Sequence, residues 1–242
     1  MRTASLLCTM AFGAVLGTAH AHTSLRCGPF GEPPTPMPRT YTAAVDRGRT
    51  INEEIRTTPY RVLFFGDSLT ERWDREIWGR HYALRGALNA GVSGDRTENL
   101  LWRLENGNLD GPPPEGVVLL IGTNDLGLGR TPQDTAEGIR AILAVLRSRL
   151  PNARILLLGI WPRALAPFRP LRLAIAEVNR LISGCADGAS IQFLDLGDAL
   201  LDRDGRLTPA VSPDRLHLSA LGYARIAPRL DAALDRLLAH AR

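Results

Sequence analysis

Three nearly uninterrupted apolar runs constrain the fold of this chain more than any other feature of its sequence. Residues 60–65 read YRVLFF, residues 116–121 read GVVLLI and residues 153–160 read ARILLLGI. A continuous apolar run of this length is typical of a strand buried on both faces, as in a parallel sheet. Two shorter runs, residues 87–90 and 191–194, are the other strand candidates. We therefore expect a central parallel sheet of about five strands.

Stretches with helical periodicity separate these strands. The longest apolar stripe consists of Ile139, Ile142, Leu143, Leu146 and Leu150. It follows Thr131, Pro132 and Asp134, which are typical of a helix start. Residues 175–182 and 226–237 repeat the pattern. The alternation of strands and helices predicts a doubly wound, three-layer α/β/α sandwich, in which functional sites lie at the carboxyl ends of the strands.

The first 21 residues differ in character from the rest. Arg2 is followed by an uncharged stretch, residues 6–17, and then by Ala19, His20 and Ala21. This pattern predicts an export signal peptide cleaved after Ala21, and hence a periplasmic or secreted protein. The apolar stretch is too short to span a bilayer, so we expect no transmembrane anchor. The alternative is a buried N-terminal helix.

Residues 22–40 form the next unit. Five prolines and two glycines fall within residues 28–38, a composition typical of an extended segment without a core of its own. We interpret residues 22–40 as a proline-rich arm or linker. The folded domain is expected to begin near Tyr41 and to include residues 41–242.

The charged residues exclude some classes of function. The chain has 29 Lys+Arg against 25 Asp+Glu, a net charge of +4. The basic residues are all arginines, and acids are interleaved with them, so no nucleic-acid partner is expected. Cys27 and Cys185 lack metal-ligand spacing and a CxxC partner, so neither zinc nor redox chemistry is expected, and no cofactor is predicted. Whether the two cysteines pair is left open, as is the oligomeric state, a homodimer included.

The loop after the first predicted strand carries a candidate nucleophile. It reads Gly66-Asp67-Ser68-Leu69, which puts Ser68 at the start of a helix. Free backbone N–H groups and the helix dipole favour negative charge there, so the hydroxyl could attack a carbonyl while its own N–H steadies the oxyanion. The alternative is that Ser68 only caps the helix. No G-x-S-x-G motif occurs, which disfavours an ordinary α/β-hydrolase.

Two further loops carry candidate donors to an oxyanion. After the second predicted strand, Gly94 would let the backbone approach a ligand with its N–H exposed. After the third, the neutral side-chain amide of Asn124 could donate without bringing a competing charge. Each also has a purely structural interpretation, Gly94 as a turn residue and Asn124 as a cap.

A late loop supplies a candidate base. Among the histidines left after cleavage, 22, 81, 217 and 240, only His217 has an acid, Asp214, three residues before it in a loop. That acid could hold one ring nitrogen and leave the other to accept a proton. The alternative is a histidine held by a structural hydrogen bond. Taken together, Ser68, His217, Asp214, Gly94 and Asn124 are the complete set of groups that acyl transfer requires.

The four segments, in this order, resemble the sequence blocks of the SGNH (GDSL) hydrolase family, named for Ser68, Gly94, Asn124 and His217. Residues 89–107 and 159–163 are especially similar to the catalytic subunits of platelet-activating-factor acetylhydrolase Ib. The resemblance implies a flavodoxin-like sandwich for residues 41–242 and a Ser68–His217–Asp214 triad. It also implies hydrolysis of a small-molecule acyl ester without a metal.

Leu69, Thr123 and Leu216 each adjoin a candidate catalytic residue. Because side chains crowding the nucleophile leave room for little more than an acetyl group, we expect acetyl esters to be preferred. One alternative function is a carbohydrate O-acetylesterase or O-acetyltransferase on the same fold. The sugar contacts would then come from Trp73, Trp78, Trp102 and Trp161, although a tryptophan is more often a core residue. A second alternative is a binding module with a catalytically silent triad.

Overall fold

Five parallel strands form the central sheet of the protein, whose computed structural model describes residues 25–239. The strands are β1 (Val62–Gly66), β2 (Ala87–Gly91), β3 (Gly116–Leu120), β4 (Arg154–Leu158) and β5 (Ile191–Leu194). Their order is β2-β1-β3-β4-β5, the flavodoxin-like order. The predicted fold class is confirmed, and each strand begins and ends within two residues of the predicted run.

Helices cover both faces of this sheet. They are α1 (Thr42–Thr57), α2 (Ser68–Glu71), α3 (Arg75–His81), α4 (Thr97–Glu105), α5 (Thr123–Gly127), α6 (Pro132–Arg149), α7 (Pro170–Ser183) and α8 (Ala220–Ala239). The three apolar stripes of the sequence correspond to α6, α7 and α8. As the sequence predicts, α6 begins after Thr131, whose side chain accepts a hydrogen bond from the backbone N–H of Asp134.

Helices α1 and α4 are the longest of those that have no counterpart in the sequence prediction. Helix α1 buries only three residues, Ala44, Ile51 and Ile55, so its apolar stripe is short. Helix α4 buries polar side chains, among them Glu98 and Arg103, together with its leucines. Apolar periodicity identifies a helix only when the buried face is apolar and the exposed face polar.

Successive residues of the inner strands point to opposite faces of the sheet and build two cores. Leu63, Phe65 and Val117 pack with helices α1, α4, α6 and α7 on one face. Val62 and Phe64 pack with α3 and α8 on the other. Because side chains alternate along a strand, apolar helices on both sides require the continuous apolar runs seen in the sequence.

The segment before α1, residues 25–40, contains no helix or strand and runs over the domain surface. A disulfide joins Cys27 to Cys185, which follows α7. The Glu137 carboxylate on α6 accepts the backbone N–H of Phe30 at 2.8 Å, and the N–H of Met37 donates to the carbonyl of Glu98 at 3.1 Å. The segment is therefore fastened to α7, α6 and α4 in turn.

The predicted signal peptide, residues 1–21, lies outside the described residues. Within residues 25–239, no helix combines the length and the apolar character needed to cross a membrane.

Removing the disulfide tests how much the fastened segment contributes to stability. The bond closes a loop across a sequence separation of 158 residues. Replacing Cys27 and Cys185 together by alanine should lower the free energy of unfolding by about 2–5 kcal/mol. Without the disulfide, the unfolded chain regains the conformational entropy that the closed loop had removed. Urea unfolding measures the change. The wild-type protein under reducing conditions should show a similar loss, and an unchanged midpoint in both samples would contradict the prediction.

Candidate active site

The carboxyl ends of β1, β2 and β3 bring together three of the four sequence segments. Ser68 is the first residue of α2 and the second residue after β1. Gly94 lies in the loop after β2, and Asn124 is the second residue of α5, after β3. Since neighbouring parallel strands end at the same edge of the sheet, these residues converge at the point where the strand order reverses.

Ser68, His217 and Asp214 form a continuous hydrogen-bonded chain. His217 Nε2 lies 2.9 Å from Ser68 Oγ, although 149 residues separate them in the sequence. The other ring nitrogen, Nδ1, lies 2.6 Å from Asp214 Oδ2. The Ser68 residue is only 5% exposed, whereas the His217 side chain is 27% exposed. The imidazole can thus take a proton from the hydroxyl while a substrate approaches from solvent.

Asp214 is held as a carboxylate facing His217. Its Oδ1 accepts the backbone N–H groups of Leu216 at 3.0 Å and His217 at 2.7 Å. Partial burial raises the pKa of Asp214, but hydrogen bonds from the His217 side chain and from these two N–H groups outweigh it and lower the pKa to about 2. The charged acid fixes which ring nitrogen of His217 faces Ser68.

Gly94 and Asn124 are positioned by the same loop. Gly94 has a φ of +79°, in the left-handed region that glycine adopts without strain. Its carbonyl accepts a hydrogen bond from Arg39 Nη1 at 2.7 Å. Asn124 Nδ2 donates to the carbonyl of Asp95 at 2.9 Å. One N–H of this amide is used there, and the other is available to a ligand.

Residues 64–225 match the model of the GDSL-like lipase/acylhydrolase family. The chain belongs to this family. Platelet-activating factor acetylhydrolase IB subunit alpha1 from Homo sapiens is 39% identical over 180 residues, covering 74% of this chain and 77% of that protein. The resemblance inferred from the four segments is therefore confirmed, and the chain is an ester hydrolase.

Solved structures of other GDSL hydrolases have the same fold. A GDSL-like lipase from Bacteroides thetaiotaomicron has a TM-score of 0.67 at 22% identity, covering 81% of this chain and 99% of that one. Axe2, an acetylxylan esterase from Geobacillus stearothermophilus, has a TM-score of 0.58 at 21% identity, covering 76% and 96%. At these identities the likeness concerns the fold alone.

A buried ionic network that the sequence analysis missed supports the Gly94 loop of this GDSL hydrolase. Arg103 of α4 donates through Nε to Asp95 Oδ2 at 2.8 Å, and both side chains are almost fully buried. Arg103 also donates to the carbonyl of Ala90 at 3.2 Å. The sequence signal was an arginine among the leucines of residues 100–104, which only tertiary structure identifies as a buried partner for Asp95.

A second network holds the start of α5, where Asn124 lies. Asp125 is buried and accepts hydrogen bonds from Thr97 Oγ1 at 2.7 Å and from the backbone N–H of Thr97 at 3.1 Å. These bonds fix the residue next to Asn124 against the start of α4.

Arg163 joins the start of α5 to the segment after β4. Its Nη1 donates to the carbonyl of Thr123 at 2.9 Å. The N–H of the next residue, Ala164, donates to the carbonyl of Arg215 at 3.2 Å, two residues before His217. Ala164 and Arg215 have φ values of +63° and +62°, which non-glycine residues rarely adopt. The segment after β4 therefore connects the part of the candidate site that contains Asn124 to the part that contains His217.

The three expected acyl-pocket residues differ in exposure. Leu69 and Thr123 are buried beneath the surface at 1% and 2% exposure. Leu216 is partly exposed and packs against the core beside α8. Their role stays a prediction.

Trp73 and Trp161, two of the tryptophans that the carbohydrate alternative would use, lie in the core. Both are buried, at 4% and 1% exposure, with their ring centroids 5.9 Å apart. Trp78 stacks edge-on against Phe64 in the same aromatic cluster. Trp102 lines a cavity of about 280 Å³ between α1 and α4, which Ser68 and His217 do not line. The large apolar surface of the rings is used to fill the core.

Among the described residues, His81 is the other histidine, and it does not join the site. His81 Nδ1 lies 2.6 Å from Asp231 Oδ2, which links α3 to α8, and residues 22 and 240 lie outside the described residues. Among the described residues, no group of three His, Cys, Asp or Glu side chains is arranged to hold a metal ion.

Asp67, next to Ser68, is a fully buried acid. Its Oδ1 accepts the N–H of Leu69 at 2.9 Å, so Asp67 and not Ser68 caps α2. Burial raises the pKa of Asp67 to about 7, the charges of Asp95 and Asp125 also raise it, and the Leu69 N–H and Arg163 lower it. Ionising Asp67 in the folded protein therefore costs stability.

The substitution Asp67→Asn tests this cost through its dependence on pH. The unfolded aspartate loses its proton near pH 3.8, whereas the folded one keeps it up to about pH 7. Between these values the folded state binds more protons, so wild-type stability falls as pH rises. The free energy of unfolding of Asp67→Asn, relative to wild type, should rise from about pH 4 to about pH 7 and then level off.

Asp214→Asn provides a contrast of opposite sign. Because the pKa of Asp214 is lowered to about 2, the stability that its carboxylate adds is present above about pH 4 and is lost as pH falls toward 2. Urea unfolding across both pH ranges measures the free energy of unfolding of the two variants and of the wild type.

A pH-independent difference between Asp67→Asn and wild type would contradict the assignment of a buried, protonated Asp67.

Proposed function

We propose that this chain is a serine esterase that hydrolyses short-chain acyl esters, acetyl esters above all, through Ser68, His217 and Asp214. The 2.9 Å distance between His217 Nε2 and Ser68 Oγ is the observation that carries the proposal. It satisfies the geometric requirement for a nucleophile and its general base.

The first half of the reaction forms an acyl-enzyme. His217 Nε2 takes the proton of Ser68 Oγ as this oxygen bonds to the ester carbonyl carbon, and the Asp214 carboxylate stabilises the resulting imidazolium. When the tetrahedral intermediate collapses, the bond to the alcohol oxygen breaks. His217 gives its proton to that oxygen, the alcohol leaves, and the acyl group stays on Ser68.

Water completes the cycle. His217 takes a proton from water as the water oxygen attacks the acyl carbon, and the bond to Ser68 Oγ then breaks. The proton returns to Ser68, and the carboxylic acid leaves. No cofactor enters either half of the reaction.

The oxyanion of both intermediates would be bound by three neutral donors: the N–H groups of Ser68 and Gly94 and the amide of Asn124. The first-turn N–H groups of a helix have no intrahelical acceptor, so that of Ser68 is available. The bond from Asn124 Nδ2 to Asp95 supports the role of Asn124, because it fixes the amide before substrate arrives. Donors held in place in advance need no reorganisation during the reaction.

Acetyl selectivity rests on Leu69, Thr123 and Leu216, and on the activity named for the human relative. That relative, an acetylhydrolase subunit, is 39% identical over most of both chains. The buried positions of Leu69 and Thr123 next to Ser68 and Asn124 leave Leu216 as the side chain that an acyl group would meet first.

A carbohydrate O-acetylesterase is the second candidate, because acetylxylan esterases are among the proteins with the same fold. The burial of Trp73 and Trp161 removes two of the four aromatic contacts expected for a sugar. The simple acyl esterase therefore fits the site better.

We also propose that the protein is exported. The disulfide between Cys27 and Cys185 supports an oxidising compartment, in agreement with the signal peptide expected at residues 1–21.

Substitution of the nucleophile and the base tests the mechanism. Ser68→Ala and His217→Asn should each lower kcat for p-nitrophenyl acetate by ~10⁴-fold or more, since the three side chains act as a unit. Asn124→Ala should lower it by ~100–1000-fold, the usual effect of losing one oxyanion donor.

His81 is the matched control, because it also lies 2.6 Å from an aspartate but on α3. His81→Asn should retain the wild-type kcat. Substantial hydrolysis by Ser68→Ala, or failure of a fluorophosphonate to label Ser68, would support a silent binding module instead.

Acyl-chain kinetics test the expected selectivity. Because side chains close to Ser68 limit the space for the acyl group, kcat/KM should be ~10-fold or more higher for p-nitrophenyl acetate than for the octanoate. Leu216→Ala should narrow this ratio. Leu218→Ala is the control, since Leu218 is equally close to His217 in the chain but packs against Gly222 of α8. Equal rates for the two esters in the wild-type enzyme would refute the selectivity.

A further inference from the structure

The exposed apolar side chains of this protein are unevenly distributed. Among residues 25–239, the large apolar side chains that are exposed are Met37, Tyr41, Leu84, Leu128, Leu165, Phe168, Leu173 and Leu221. Leu84 lies before β2, at the amino edge of the sheet, whereas Leu128, Leu165, Phe168, Leu173 and Leu221 follow the carboxyl ends of strands. These five side chains therefore lie on the same side of the molecule as Ser68.

Three of them fall in one short stretch, residues 162–173, which we call the β4–α7 segment. It consists of the loop after β4 and the first turn of α7. Phe168 is 87% exposed, Leu173 58% and Leu165 39%. Pro167 and Pro170 flank Phe168 and stiffen the backbone that presents it.

The β4–α7 segment is also cationic. It contains Arg163, Arg169 and Arg172 and no acidic residue. Carboxylates of the neighbouring loop are engaged elsewhere: Asp198 lies 2.5 Å from Arg229, and Asp204 3.2 Å from Arg206. Arg163 is partly buried and faces the charges of Asp67 and Asp214, whereas Arg169 is exposed and takes part in none of the ion pairs of the described residues. The segment thus combines exposed apolar side chains with one exposed positive charge.

Hydrogen bonds fix the segment to the candidate active site. Arg163 donates to the carbonyl of Thr123, and the N–H of Ala164 donates to the carbonyl of Arg215. The carbonyl of Leu165 accepts the N–H of Leu207 at 3.1 Å. Any surface that binds the segment is therefore held at a fixed distance from Ser68 and His217.

We propose that the β4–α7 segment docks the enzyme onto an anionic lipid surface. Phe168, Leu165 and Leu173 enter the boundary between headgroups and acyl chains, and Arg169 meets the lipid phosphates. Apolar side chains interspersed with arginines are typical of segments that lie in a membrane interface. A protein partner would instead require a broader apolar surface depleted of charge at its centre.

Vesicle co-sedimentation tests this inference. Wild-type protein should bind vesicles that contain phosphatidylglycerol more tightly than pure phosphatidylcholine vesicles, and high salt should weaken the binding. Phe168→Ser should weaken it ~10-fold or more by removing a buried aromatic ring. Arg169→Gln should weaken it ~5-fold by removing one charge near the surface.

Leu84→Ser is the matched control, because Leu84 is as exposed as Phe168, at 87%, but lies at the opposite edge of the sheet. It should bind vesicles as the wild type does. Thermal unfolding of each variant verifies that it is folded. The inference goes beyond the proposed esterase activity, since Ser68→Ala should still bind vesicles, so docking and catalysis can fail separately.

Several results would overturn the proposal. The first is that the wild-type protein binds neither kind of vesicle. The second is that Phe168→Ser and Leu84→Ser lose vesicle binding to the same extent. A third is self-association of the wild-type protein, seen by sedimentation equilibrium, that Phe168→Ser abolishes while vesicle binding persists. That last result would assign the segment to contact with a second copy of the chain.

Discussion

Strand β1 lies between β2 and β3, and the site depends on this placement. All five residues of β1, Val62–Gly66, are buried, so the strand cannot move without disrupting both cores. From β1 the chain continues into α3 on one face, and from β3 into α6 on the other. The loops after β1 and β3 therefore diverge and leave between them the crevice where doubly wound proteins bind ligands. Ser68 enters this crevice because it is the second residue after β1.

Buried charges give the loops around this crevice their rigidity. Asp95 is paired with Arg103, and Asp125 is bonded to Thr97. Arg103 and Thr97 both belong to α4. Removing one partner of a buried pair costs about 3–5 kcal/mol, because the remaining charge is left uncompensated. Such pairs do little for stability compared with an apolar core, but they fix backbone positions. Here the positions fixed are those of Gly94 and Asn124.

Local patterns predicted the sheet and the long helices α6, α7 and α8, because each of them buries an apolar face whose period is visible in the sequence. They did not predict α4, whose buried face includes Glu98 and Arg103. Nor did they distinguish tryptophans available to a substrate from those in the core. Trp161 follows β4 at the same edge as the site, yet it is 1% exposed, and chain position alone does not encode which way a side chain turns.

The sequence by itself determined the order of the strands along the chain, the residue types at their carboxyl ends and the family to which they belong. These properties are local, since each depends on a few neighbouring residues and the period of their side chains. Tertiary structure decided that His217 Nε2 reaches Ser68 across 149 residues, that Cys27 meets Cys185 and that Arg163 bridges two loops. These contacts depend on how the sheet twists and how its layers pack. Packing is a property of the whole chain and leaves no periodic signal in any one segment.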